Sequence, residues 1–335
     1  MKAASSTLLL LVAAFVATNS LAQKANYHII KTFPIKGEGK WDYLAVSPAS
    51  NNLYVSHATE VDIIDKTSGK PVGIIENTTG VHGIAFAPAY GKGFTSNGKI
   101  NTLTVFDIKT NKVKGQITVG QKPDAIMFDP FSRKIFVCNG ISKDLSVVDP
   151  ATDKVIKTVA LGGKPETAVS DESGHLYINI EDKNELEVLD TKSLELIARH
   201  PVGKGEEPSG LAIDRKTKRL FIGCGNKTLV VMDAGTGKVV TELPIGDKCD
   251  GVGFDRELKQ VYSSNGEGTL TIIKEKSANS IEVLENVPTK KGAKTLAVDE
   301  KTHLVYLSTA EFSDNGAGSK HIIRPGTFEV LVVGK

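Results

Sequence analysis

The chain repeats itself about seven times, and this constrains its fold more than any other feature. One copy, residues 123–162, reads as four short strands at 125–128, 135–138, 145–148 and 155–161. Each run is rich in β-branched or aromatic residues and is bounded by Asp, Asn, Pro or Gly, which mark strands and turns. The residues that open the first strand of each copy are Asp42, His82, Asp124, Glu166, Ser209, Asp250 and Lys294, spaced by 40, 42, 42, 43, 41 and 44 positions. A second series ends the third strand at Asp65, Asp107, Asp149, Asp190 and Asp233, with gaps of 42, 42, 41 and 43. Two independent series with one period exclude coincidence.

Four strands alone would leave two bare sheet faces, so one copy cannot stand as a domain. Radial stacking buries both faces, and a four-stranded repeat of this length implies a β-propeller. The expected fold is all-β: a single seven-bladed β-propeller with four-stranded blades over residues 23–335. The seventh copy offers only three strands, at 295–298, 304–308 and 328–333, and a spare strand precedes the first copy at 27–35. The N-terminal strand is therefore expected to complete the last blade and close the ring, removing the exposed edge. The second series of Asp residues is expected to cap turns through the nearby backbone. A long Gly- and Ser-containing loop at 309–327 interrupts the seventh copy and is a candidate lid.

With 24% charged and 40% hydrophobic residues and a net charge of +2, the chain reads as an ordinary soluble globular protein, with no bulk charge argument for nucleic acid. Residues 1–22 read as a secretory signal: Lys2, then an apolar run at 8–16, then Ser20-Leu21-Ala22 as a cleavage site after Ala22. The run is too short to span a bilayer. A periplasmic or secreted, monomeric protein without a membrane span is expected. Of the three cysteines, Cys138, Cys224 and Cys249, the latter two fall at strand ends on one face of adjacent blades. A Cys224–Cys249 disulfide is one reading, three small buried hydrophobes the other.

In a propeller the first strand of each blade lines the channel, so the seven opening residues meet at one rim, on the face called the top. Four carboxylates there, at about 10 Å and an effective dielectric near 20, would repel by roughly 1.5–2 kcal/mol per pair. They need counter-charge from Lys294, from Lys40, Lys122, Lys164 and Lys248 just upstream, or from a bound divalent cation. Asp, Glu and His together suit hard or borderline cations, and His82, Asp124 and Glu166 are the candidate metal ligands, with help from Asp42 or Asp250. Loops above the rim add His57, Asn97, Asn139, Glu181, Asp182 and Asn265. Trp41 is placed either to stack on a ligand or to pack in the interior.

The strands also carry a recurring motif: Tyr54-Val55-Ser56-His57, Phe94-Thr95-Ser96-Asn97, Phe136-Val137-Cys138-Asn139 and Tyr262-Ser263-Ser264-Asn265. Asp-Leu-Ser-Val-Val-Asp at 144–149 and Gly120-Gln121-Lys122-Pro123 accompany it. In these residues the chain resembles the YVTN-family (YncE-like) β-propeller repeat proteins over its whole mature length. The resemblance implies the propeller architecture and export, and it names no activity. One Trp argues against the Trp-docked arrays of quinone-cofactor propellers. No sialidase Asp box, Gly-x-Ser-x-Gly, CxxC, HExxH or P-loop occurs.

Three functions follow. The first is binding of a small molecule or protein partner at the top-face mouth, through Trp41, Asp42, His57, His82, Asp124, Asn139, Glu166, Glu181, Asp250 and Lys294, directly or with a cation. The second is a metal-dependent lyase or hydrolase with His57 or Glu181 as base. The third is a polyanion or nucleic-acid binder using Lys40, Lys122, Lys164, Lys204, Lys248 and Lys291; few aromatics accompany them, which weighs against single-stranded nucleic acid.

Overall fold

A computed structural model describes residues 26–313 and 322–335. The expected signal segment and the middle of the 309–327 loop lie outside them. Seven four-stranded antiparallel sheets form the ring. The inner strands are Trp41–Val46, Val81–Ala87, Pro123–Asp129, Pro165–Ser170, Pro208–Asp214, Cys249–Asp255 and Leu296–Asp299. Each contacts the next, and Leu296–Asp299 returns to Trp41–Val46. The modules therefore share one axis.

Blade 3 shows why these residues form these strands. Its two middle strands, Lys134–Asn139 and Asp144–Asp149, are covered on both faces by neighbouring blades and are buried almost throughout. They accordingly read as near-continuous apolar runs. The outer strand Lys154–Ala160 alternates between exposed and covered residues, the period of two expected at a sheet edge facing water. The core lies between blades: Leu53 and Val55 of blade 1 pack with Tyr306 and Val330 of blade 7.

The ring closes as the repeat count requires. The N-terminal strand His28–Pro34 pairs antiparallel with Glu329–Gly334, in register His28 to Gly334 and Pro34 to Glu329. It is the outer strand of blade 7. Phe33 of this strand is buried beside Gly69, where a Cβ would meet the Phe33 ring at 2.2 Å. A buried ion pair adds a clasp: Lys66 of blade 1 reaches Asp299 of blade 7 at 2.6 Å.

The Asp series caps turns. Asp107 accepts from the backbone N–H groups of Lys109 and Thr110 at 3.0 Å each, and Asp190 from Lys192 and Ser193 at 3.0 and 2.7 Å. Four residues after each marker the backbone turns left-handed, at Gly69, Asn111, Asp153, Leu194 and Gly237. Three of these are Gly or Asn, which tolerate a positive φ best.

The three cysteines are buried free thiols. The bridge between Cys224 and Cys249 is not formed, although both are buried at adjoining strand ends as expected. Cys249 instead accepts a hydrogen bond from Ser263 Oγ at 3.1 Å, and burial pushes the thiols up, Cys249 to about 12. Among the described residues no helix is long and apolar enough to cross a membrane.

Candidate functional site at the channel mouth

The rim is held by hydroxyls and one amide, each from the second strand of the preceding blade. Ser96 donates to the Asp124 carbonyl, Asn179 to the Ser209 carbonyl at 3.3 Å, Ser264 to the Lys294 carbonyl at 2.6 Å and Ser308 to the Asp42 carbonyl at 3.2 Å. This is the third position of the aromatic-Val-Ser-Asn motif, and it fixes where each rim side chain begins. The residue after it points the other way, as alternation in a strand demands. Asn97, Asn139 and Asn265 brace their own hairpins: Asn139 donates to Asp144 and Ser146 at 2.7 and 2.8 Å and is fully buried.

Six of the seven rim residues are charged or titratable, and the structure pairs them. His82 Nδ1 donates to Asp42 at 2.5 Å and lies 3.5 Å from Asp124, whose other oxygen is 3.7 Å from Lys122. Lys164 bridges Glu166, at 2.9 Å, and Glu181. Lys294 pairs with Asp250. Burial, then the charge of Asp42, raises the Asp124 carboxyl to about 6. Burial, then the charge of Asp124, raises Glu166 to about 8. Asp250 is also raised by burial, against the pull of Lys294. Burial works against the charges of Lys164 and Lys294, yet the acids beside them lift both above the ordinary ammonium range. Burial alone would lower His82; the Asp42 hydrogen bond and the Asp124 charge carry it above the ordinary imidazole value.

One donor atom each from Asp42, His82 and Asp124 lies within 4.8 Å of the others, which is the spacing of a cation site. This set shares His82 and Asp124 with the ligands expected from sequence. Asp42 takes the third place, while Glu166 is engaged by Lys164. A second such group, His57, Glu60 and Asp62, lies in the top hairpin of blade 1. His57 is buried, hydrogen-bonded to Asp62 at 2.9 Å and tilted against Phe328, beneath the Gly37–Gly39 loop. It does not line the mouth. Glu181 does reach the rim network, through Lys164.

One residue had no place in the sequence reading. Tyr43 crosses the channel from blade 1, its hydroxyl 3.3 Å from Thr167 of blade 4. Burial, then the charges of Glu166, Asp124, Asp42 and Asp250, push this phenol well above its usual range. Position 43 follows the rim residue Asp42, which was the available signal. At the top-face mouth expected from sequence opens a cavity of about 840 Å³ over blades 7, 1, 2 and 3, lined among others by Trp41, Asp42, His82, Lys122, Lys294 and Phe312. Trp41 stacks on Phe328 at 5.3 Å and meets Phe312 at 6.1 Å.

No protein-family model matches this sequence, and no curated protein matches it. The likeness to YVTN-family propellers therefore rests on the motif residues. Solved structures do match. The hydrazine synthase of Kuenenia stuttgartiensis is 15% identical with a TM-score of 0.70, covering 82% of this chain and 94% of its own. U3-55K is 8% identical with a TM-score of 0.76, covering 90% and 98%. The WD40 repeats of RRP9 give 8%, 0.76, 90% and 97%. At such identities the likeness establishes the architecture: the chain is a seven-bladed β-propeller.

Proposed function

We propose that this protein is an exported binding module that takes a small ligand at the top-face mouth of its channel. The observation that carries this reading is the cavity of about 840 Å³, within the range of roughly 300–1,000 Å³ typical of ligand sites. It joins an aromatic wall, Trp41 and Phe312, to convergent polar groups, Asp42, His82 and Lys294. The positions of the candidate bases support binding over catalysis: His57 is enclosed away from the mouth, and Glu181 is tied to Lys164. Three of the six lysines considered for a polyanion track, Lys122, Lys164 and Lys204, each face a carboxylate, which breaks the track and supports a compact site. A crystallographic fragment screen tests the reading. Fragments gathering in the mouth support it; fragments bound elsewhere with the mouth empty refute it. Export is tested by the N-terminus of the mature protein, expected at Gln23.

A second reading is favoured by the clustering of Asp42, His82 and Asp124. Two carboxylates and an imidazole fit a divalent cation such as Mn²⁺ or Zn²⁺, which would replace the proton that His82 Nδ1 shares with Asp42. Metal-stripped protein titrated with either ion should bind one equivalent, and His82→Gln should abolish it. No uptake by the native protein removes this reading and the metal-dependent lyase or hydrolase with it.

A further inference from the structure

The chemistry of the mouth wall specifies more than a small ligand. Lys40, Lys99, Lys122 and Lys294 line the cavity, and Asp42 is the one carboxylate among its lining residues. That carboxylate is engaged by His82 at 2.5 Å. Asp124 and Asp250 draw Lys122 and Lys294 toward the floor, while Lys40 and Lys99 have no carboxylate within 4 Å among the described residues. The upper wall is thus cationic over a floor of ion pairs.

His82 adds a directed donor. Its Nδ1 side is held by Asp42, and its Nε2 side faces Gly98, another lining residue. A Cβ at Gly98 would stand 2.7 Å from His82 Nε2, so glycine there keeps the nitrogen uncovered. The apolar part of the wall holds Trp41, Phe312, Ile323 and Ile141. Ile141 is 63% exposed, the most of any large apolar side chain among the described residues, and it shares one cavity wall with the other three; apolar groups gathered in this way, rather than one alone, mark a surface to be covered.

We propose that the mouth takes an organic anion with an apolar body: a carboxylate, sulfonate or phosphate seated against His82 Nε2, Lys99 and Lys40, with its hydrocarbon part against Trp41, Ile141 and Phe312. This rests on the ligand-binding reading and needs no metal. The geometry requires both halves, since a bare inorganic anion leaves the apolar wall wet and a neutral body leaves the cationic wall unmatched.

Three probes of one shape test it: 2-naphthoate, 2-naphthylmethanol and 2-naphthylmethylammonium. Calorimetry measures affinity, and the emission of Trp41, the only tryptophan, reports location. We expect naphthoate to bind at least tenfold tighter than the alcohol, the ammonium weakest, with affinity falling as salt rises. Lys99→Glu, an exposed change that leaves the fold alone, should weaken naphthoate about tenfold, and Gly98→Val should abolish it. Equal or tighter binding of the alcohol or the ammonium overturns the anion assignment while leaving a ligand site. Naphthoate binding untouched by both variants, or no naphthoate binding, overturns it too. The fragment screen then decides separately whether the mouth is a ligand site at all.

Discussion

Asp124→Asn should make the free protein more stable. Asp124 is nearly fully buried, and its carboxyl is raised from 3.8 to about 6. At about 1.4 kcal/mol per pKa unit, holding it ionised at pH 7.5 costs about 3 kcal/mol relative to the unfolded chain. Burial and the Asp42 charge win over the attractions of His82 at 3.5 Å and Lys122 at 3.7 Å. A carboxyl raised in this way contributes stability that is complete below its unfolded value near 4. That stability is lost as pH rises through about 6. Asparagine keeps the shape and removes the charge, but it sets an NH₂ near His82 and Lys122, so we expect a net gain of about 1–3 kcal/mol at pH 7.5.

The assay is urea unfolding of both proteins at pH 5 and pH 7.5. Wild type should lose stability between the two, with Glu166 and Asp250 pulling the same way because they are also raised. The variant should lose less, and the difference of the two differences measures the Asp124 charge together with its hold on Glu166 and His82. A variant less stable than wild type at pH 7.5 would show that Asp124 anchors the rim, and a gain of equal size at both pH values would show that its charge is not the cause. A gain of this kind would fit the proposed binding site, since functional sites commonly give up stability.

Lys66→Met should cost about 3–5 kcal/mol, because it strands the Asp299 charge in the clasp between blades 7 and 1; a loss under 1 kcal/mol by chemical denaturation refutes the clasp. Phe33→Ala empties the packing beneath the closing strand and should cost about 3–5 kcal/mol, with faster proteolysis near residue 28; an unchanged cleavage pattern argues that the strand is not what seals the ring. Ellman's reagent should find no reactive thiol in the native protein and all three in denaturant without reductant; a single thiol in denaturant would reinstate the disulfide.

The architecture was legible in the sequence because a propeller repeats one set of backbone problems. Five blades have a capped turn after the third strand, so Asp recurs there, and left-handed residues follow it. Several need a tether for the next blade's rim carbonyl, so Ser96, Ser264 and Ser308 recur. A companion series went unread: Asp129, Asp214, Asp255 and Asp299 end inner strands and cap turns in the same way. What repeats in sequence is what each blade must solve alone. Side-chain azimuth was harder. His57 and Asn139 follow the tether position, and alternation turns them away from the axis, so nearness to the top face did not bring them to the mouth.

The rim obeys the opposite rule. Its positions recur at the repeat spacing, but their residues are Asp, His, Asp, Glu, Ser, Asp and Lys. A ring of identical side chains could not form, because all would share one axis and seven like charges would repel. The structure resolves the conflict locally: His82 serves Asp42 and Asp124, Lys164 serves Glu166, and Lys294 serves Asp250. Lys164 and Glu166 sit two residues apart, but the His82 and Lys294 pairings depend on which residues meet across blades, information that no single repeat contains. Tyr43 shows the limit most clearly, since its partner Thr167 lies 124 positions away. The variation at the mouth is what the proposed recognition of one asymmetric ligand needs, since a uniform rim presents the same group from every blade. Recurring turns and tethers with a non-uniform rim fit a repeated scaffold that carries the proposed site.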